Sequence, residues 1–449
     1  MKNRIFVIAL LSGAALFHGT GYADVVPLAD ALSNDALSNA QRPVALDSAM
    51  GGSRSTVVRG KYTSGGVLYG DAMTEASVMK ALRWLKYIQN ADGSMPGRDQ
   101  AAATGFAVLT FLAHGETPAS EEFGPTVRKA LDYLVNSVYV VMDKDGQEAK
   151  DPNGETPYVR MSGATGSEYG FLIGTYALCE AYGVTQNSNV RAAAEKCLSR
   201  IIRGQAPTGG WNYNMARRPR DGGASDDISF GGWAMQALKS GEMAGLHLPG
   251  LDDCIRKSVR CLKTRNYSEK AGFVYRATVN HKGGGGGLGG VGCLCLQLFG
   301  HGKDREVANA LRVMTDWLPT LDRKHMSGGD SSQYYSYYAS SCKYQAGMCE
   351  GATPADVVSW KKWNAAQKRL YPKSIIEYRI DHRTGKPAVY KDKDGRERPM
   401  GYWVNGDRLS MRISGKGANG EMVSMGVMDT CLAALQLMVY YRYLPMMSL

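Results

Sequence analysis

Beyond Ala23 this 449-residue chain has no uninterrupted run of about 18 apolar residues, so no membrane-spanning segment is expected in the remainder. Neither C-x-x-C nor H-x-x-x-H spacing occurs, which leaves a dedicated zinc site without support; no metal is assigned and no cofactor is expected. No lysine stands at P-loop spacing in the glycine-rich stretch HKGGGGGLGG (281–290). A flexible spacer is preferred there to a backbone cradle for an anion. No basic helix carries interleaved aromatics, which argues against nucleic acid as a partner. Cysteine is present but unpatterned: there are nine, an odd number for an exported protein. Cys254 and Cys261 lie too far apart along one helix to bridge, and Cys293 and Cys295 point to different faces. Cys342 and Cys349 could close a short loop; the other thiols read as small core residues.

What is present begins with MKNRIFVIALLSGAALFHGTGYADVV. Lys2 and Arg4 precede an apolar run from Ile5 to Phe17, then small residues up to Ala23. This pattern predicts a secretory signal peptide cut near Ala23 and a periplasmic or secreted protein. No Cys follows the apolar run, so a lipid anchor is not expected. With 44% hydrophobic and 21% charged residues, the chain has a globular composition. The formal charge is +11, and residues 355–420 concentrate it, with 15 Lys/Arg against 7 Asp/Glu. A solvated basic insertion is the plain reading; a site for an anionic partner within 371–423 is the alternative.

Residues 24–70 show no sustained period and read as a loosely ordered segment. From about residue 71 two kinds of helix alternate. Amphipathic candidates are 76–88, 125–137, 190–203, 251–263, 306–318 and 356–370. Helices richer in small and apolar residues are expected at 101–113, 167–182, 229–244, 287–299, 333–348 and 424–443. Six pairs with two helix types imply an outer and an inner ring. The expected fold is all-α: an (α/α)6 toroid of six outer/inner hairpins over 71–449, with a small β-hairpin-like insertion at 371–423. Connections from inner to outer helices are short, and those from outer to inner are long. The long loops therefore share one face with the inner-helix N-termini, which makes that face the expected site of binding or chemistry.

The helix breakers QNADGSM (Gln89 to Met95) and QAPTGGW (Gln205 to Trp211) resemble the Gln-x-x-x-Gly-x-Trp repeat of the squalene cyclase and prenyltransferase superfamily. Met95 stands where the first copy should carry an aromatic. The stretches YALCEAYGVT (176–185), GGWNYN (209–214), GGWAMQALKSGEMAGL (231–246), YYSYYAS (334–340) and YYRYLPMM (440–447) are similar to exported planctomycete and verrucomicrobial proteins with squalene-cyclase-like repeats. The resemblance implies a toroid whose central cavity takes an isoprenoid-like or other apolar ligand; an enzyme of this kind would be terpene cyclase-like or prenyltransferase-like. In the cyclases' D-x-D-D motif the middle Asp is the acid. Ala224-Ser225-Asp226-Asp227 keeps the last two acids and lacks the first. Helix capping by Asp226 and Asp227 is thus preferred to a catalytic acid pair. Prenyltransferase zinc binding is not expected, because Cys293 and Cys295 lack a suitably spaced His.

Two alternatives stay open. A carbohydrate-active toroid, a lyase or glycosidase, would present carboxylates or Tyr/Arg and stacking aromatics on the long-loop face. The candidates there are Tyr158, Arg160, Glu168, Trp211, Tyr213, Tyr275, Asp330, Tyr334, Tyr335, Trp403 and Asp407. A non-catalytic scaffold would fill the cavity with its own side chains. Asp143/Asp145 and Asp392/Asp394 sit in two D-x-D-G-x-E stretches; an Asp-Gly hairpin accounts for both better than calcium does.

Overall fold

The computed structural model describes residues 71–164, 168–218, 226–277, 287–319, 332–349, 351–404, 412–416 and 422–439. The expected signal peptide, the 24–70 segment, Asp330, Asp407 and residues 281–286 of the glycine-rich stretch lie outside the described residues.

Twelve helices are seen among the described residues, as six outer/inner pairs. The outer helices are α1 (Ala72–Ile88), α3 (Gly124–Ser137), α5 (Ser188–Arg203), α7 (Leu251–Thr264), α9 (Arg305–Val313) and α11 (Pro354–Ser374). The inner ones are α2 (Gln100–His114), α4 (Tyr169–Thr185), α6 (Ile228–Met243), α8 (Gly287–Leu298), α10 (Ser332–Met348) and α12 (Val427–Leu437). Burial separates the two kinds. Every residue of α2 from Ala101 to His114 is buried, whereas α5 buries one stripe through Val190, Ala194, Cys197 and Ile201. The inner helices pack in the order α2, α4, α6, α8, α10, α12, and α12 returns to α2, so the ring closes.

Helix ends follow side-chain chemistry. Asp71 and Thr74 form a reciprocal capping box on α1, and Asn187 caps α5 through the Asn189 and Val190 amides. Two expected ranges shift. α9 stops at Val313, short of 318, and its last turn is closed by the Met314 amide. α12 starts at Val427 because Met422–Gly426 is a strand, β8, paired antiparallel with β7 (Arg412–Lys416).

The Gln-x-x-x-Gly breakers are structural clips. Gln89 Nε2 donates to Gly93 O and to Thr126 O on α3, both at 3.0 Å. Gln205 Nε2 does the same to Gly209 O at 2.9 Å and to Cys254 O on α7 at 2.8 Å. Each clip pins the turn after one outer helix to the next outer helix. Trp211 adds a bond from Nε1 to Ile201 O at 2.9 Å, while Met95, at the corresponding position, buries its side chain and donates from its amide to Thr104 Oγ1 at 2.8 Å.

Short hairpins occupy the long loops. β1 (Val138–Val140) pairs with β2 (Val159–Met161), and β3 (Tyr267–Ser268) pairs with β4 (Gly272–Phe273). In the insertion, β5 (Ile376–Glu377) pairs with β6 (Gly401–Tyr402). The insertion folds back over the first hairpin: Tyr402 stacks on Trp84, Tyr390 Oη donates to Glu122, and Tyr87 Oη donates to Asp381. It clasps the last pair of the ring to the first. All nine cysteines are free thiols, so Cys342 and Cys349 are not bridged.

Candidate functional site

The two consecutive aspartates sit where the 204–228 loop enters α6, and both carboxylates are fully buried. Asp227 is the N-cap. Its Oδ1 accepts from Phe230 N at 3.1 Å and from Ser229 Oγ at 2.6 Å. Its Oδ2 accepts from Arg276 Nη2 at 3.0 Å and Nε at 3.3 Å. Asp226 faces the other way: Oδ2 accepts from Arg265 Nε at 2.9 Å, and its backbone carbonyl accepts from Asn266 Nδ2 at 2.8 Å. Oδ1 of Asp226 is buried and has no hydrogen-bond partner among the described residues. Burying two carboxylates needs counter-charge, and the 264–286 loop supplies an arginine to each.

Around Asp227 lies a patch of hydroxyls. The Tyr213 and Tyr275 hydroxyls hydrogen-bond to each other, and Arg276 Nη2 donates to Tyr275 Oη at 3.3 Å. The Arg276 guanidinium lies over both rings, 5.4 Å from that of Tyr213 and 4.7 Å from that of Tyr275. Tyr169, at the start of α4, shares a hydrogen bond with Ser229 Oγ at 2.8 Å and packs edge-on against Phe230. Burial first, and then the Asp227 charge, push the Tyr169 hydroxyl far above the ordinary tyrosine range. Tyr275 is raised in the same way by burial and by its hydrogen bond to Asp227, and Tyr213 is raised by burial. All three remain neutral hydroxyls at physiological pH. Tyr213, Tyr275, Arg276 and Ser229 are half-buried, so this patch is reachable from solvent.

The other sequence candidates separate by burial. Arg200, fully buried, bonds Glu168 at 3.0 and 3.3 Å and lies between the rings of Tyr158 and Phe171. Glu168 is thus committed to an internal ion pair, with the half-buried Arg160 at 3.7 Å. Trp211, Tyr335 and Trp403 lie in the core: Trp211 belongs to the clip, Tyr335 packs on Trp317 and Trp363, and Trp403 Nε1 donates to Tyr371 O. Tyr334 is half-buried against Trp233 and Tyr338. In the middle of the ring, Trp233 of α6 meets Phe106 of α2, Tyr176 of α4 and Tyr334, Tyr337 and Tyr338 of α10.

Both D-x-D-G-x-E stretches are Asp-Gly turns. Asp143 Oδ1 accepts from the Asp145 and Gln147 amides, and Asp392 Oδ1 accepts from those of Asp394 and Arg396. Much of the insertion's positive charge is paired within the protein, as Arg379–Glu377, Arg383–Asp381, Arg398–Asp392 and Lys393–Glu121. The sequence reading missed Arg265, Arg276, Tyr169 and Ser229. The one available signal was that two adjacent buried acids require two cations.

No family model and no curated protein matches this sequence. Solved structures do match in fold. A cellobiose 2-epimerase from Spirochaeta thermophila aligns with a TM-score of 0.51 at 11% identity, over 86% of this chain and 97% of its own. An α-1,6-mannanase of Salegentibacter aligns at 0.50 and 9%, over 82% and 98%. An inactive variant of that mannanase with two consecutive aspartates replaced by alanine, in complex with α-1,6-mannotetrose, aligns at 0.50 and 9%, over 83% and 99%. The fold is an (α/α)6 toroid. The shared toroid is as far as the squalene cyclase resemblance carries.

The expectation of an isoprenoid-like ligand is corrected. The matching toroids named above are sugar enzymes, the middle of the ring is occupied by Trp233 and its tyrosine neighbours, and the accessible patch is hydroxyl- and guanidinium-lined. Terpene-cyclase chemistry needs a protonated carboxyl aimed into an apolar cavity. Asp226 and Asp227 instead accept hydrogen bonds from arginines.

Proposed function

We propose that this protein binds and processes an oligosaccharide at the start of α6, with Tyr213, Tyr275 and Arg276 as donors to sugar hydroxyls and the Asp226–Asp227 pair as the acidic centre. The observation that carries this reading is the Asp227–Arg276–Tyr275–Tyr213 network: neutral hydroxyls, a guanidinium and a carboxylate brought together at a solvent-reachable inner-helix N-terminus. Such mixed donors and acceptors match the alternating hydroxyls of a pyranose, and half-buried tyrosine rings supply stacking surface. Of the two carboxylates, Asp227 stands at the hydroxyl patch itself with both oxygens engaged, while Asp226 lies behind it, buried, with one oxygen that has no hydrogen-bond partner among the described residues. The fold neighbours add support, since they act on or bind glycans and one loses activity when two consecutive aspartates are replaced.

The test is calorimetric titration of the mature protein with α-1,6-mannotetraose, cellobiose and a panel of other oligosaccharides, with mass spectrometry of the products. Binding that disappears in the Tyr213→Phe/Tyr275→Phe double variant, and turnover that disappears in Asp226→Asn, are expected. Failure of every saccharide to bind would sink the proposal. Binding without turnover would favour a lectin-like scaffold, a reading that the Trp233-filled ring also supports.

A further inference from the structure

Tyr213 lies in a loop whose backbone is unusual. Met215 adopts left-handed geometry, at φ 50, which a residue with a side chain rarely takes. Asn212 Oδ1 holds the turn from inside by accepting from the Asn214 and Ala216 amides. A second hold comes from the neighbouring hairpin. Asn153, in the turn between Asp151 and Glu155, donates from Nδ2 to Met215 O at 3.0 Å and accepts at Oδ1 from Arg217 N at 2.6 Å. Its amide thus meets one acceptor and one donor of the loop, on either side of Ala216, as a paired strand would. The same turn is braced by Glu155, which pairs with Arg217 and with Arg203.

We propose that Asn153 is a positioning residue: its amide latches the 212–217 loop in the geometry that brings the Tyr213 hydroxyl onto Tyr275. This rests on the glycan reading above for its functional meaning, though not for its geometry. Among the described residues Asn153 has no hydrogen bond to Tyr213, Tyr275, Asp226 or Asp227, and acts through the backbone of the loop.

The experiment uses the mature protein with tyrosine labelled by ¹³C at Cζ, Tyr213→Phe to assign the resonance, and the variants Asn153→Ala and Asn153→Gln. In the wild type the Tyr213 hydroxyl titrates above the ordinary tyrosine range, as burial requires. In Asn153→Ala its midpoint should fall towards that range while the thermal midpoint of unfolding stays within a few degrees. Asn153→Gln, which keeps both amide functions, should recover part of the shift. For a saccharide that binds the wild type, Asn153→Ala should weaken affinity about tenfold, and adding Tyr213→Phe should weaken it little further. An unmoved Tyr213 titration overturns the latch, and so does full additivity of the two substitutions. If no saccharide binds the wild type, the glycan reading falls and the titration alone decides the latch.

Discussion

Asp227 divides its two carboxylate oxygens between a helix and an arginine: Oδ1 caps α6 and Oδ2 holds Arg276. One side chain therefore fixes both where the inner helix begins and where the cation of the site lies. Asp227→Ala removes the cap, worth about 1 kcal/mol, and leaves Arg276 without its carboxylate, worth about 1.5–3 kcal/mol more. Because Arg276 is partly exposed, the lower end is expected, for a total of about 2–3 kcal/mol by urea unfolding. Asp227→Asn keeps a capping oxygen and should lose about half as much. Equal losses in the two variants would show that the cap contributes nothing.

Glu168 and Arg200 offer a contrast deeper in the wall. Both are buried, and Arg200 is further enclosed by Tyr158 and Phe171. Arg200→Met leaves a buried carboxylate with only Arg160 nearby and should cost about 3–5 kcal/mol. Arg191→Ala, which breaks an exposed i,i+4 pair with Glu195, should cost less than about 1 kcal/mol. Similar losses in parallel denaturation curves would mean that Glu168 is not held by Arg200.

The helical architecture was legible because it rests on period and composition, which neighbours in sequence carry. The range 101–113 became Gln100–His114, and the small, apolar character of that stretch is why it is buried all round. The start of α12 was misplaced because Met422–Gly426 is apolar enough to read as helix, yet pairs antiparallel with β7. The site was half legible. Asp226 and Asp227 stood out, but Arg265 and Arg276 arrive 39 and 49 residues later, Arg265 from the end of α7 and Arg276 from beyond the β3–β4 hairpin. Trp211 and Trp403 were placed at the mouth because they are aromatic. Residue type does not say which way a ring faces, and both face inward to satisfy an indole N–H.

The clips make a sharp prediction about glycine. Gly209 has φ +92, and a Cβ there would sit 2.1 Å from the Lys257 carbonyl. Gly93 is equivalent, at φ +91 and 2.1 Å from the Lys129 carbonyl. Gly146 also has positive φ, +74, but nothing lies within 4 Å of its Cβ position. Gly146→Ala should therefore cost only the left-handed penalty, about 1–2 kcal/mol. Gly209→Ala and Gly93→Ala must also displace an outer helix and should lose at least about 2 kcal/mol more, an overpacking cost. Thermal unfolding of the three variants ranks them directly; a Gly209→Ala protein as stable as Gly146→Ala would refute the clip.

Lys343 predicts an unusual pH dependence. This lysine of α10 is buried, and its ammonium donates to Thr315 O at 3.2 Å, Trp317 O at 3.4 Å and Ser359 Oγ at 2.8 Å, beside the Trp363 ring. Among the described residues no carboxylate pairs with it; Asp316, paired with Lys362, acts on it only at longer range. Burial, with help from the nearby Lys362 charge, lowers its pKa to about 8 from an ordinary 10.5. Between those values the unfolded chain keeps the proton that the folded chain has released. The unfolded state binds more protons there, so this residue makes stability rise with pH across that window, by up to about 1.4 kcal/mol per unit. Below about pH 8 both states are charged and its contribution is flat. Other groups titrate in the same range, so the quantity to follow is the difference between wild type and Lys343→Met in urea unfolding at pH 7 and pH 10. The wild type should gain about 2 kcal/mol on the variant over that interval. A constant difference would mean that the Lys343 amine keeps its ordinary affinity for the proton inside the fold, with the three oxygens around it compensating in full for the lost water.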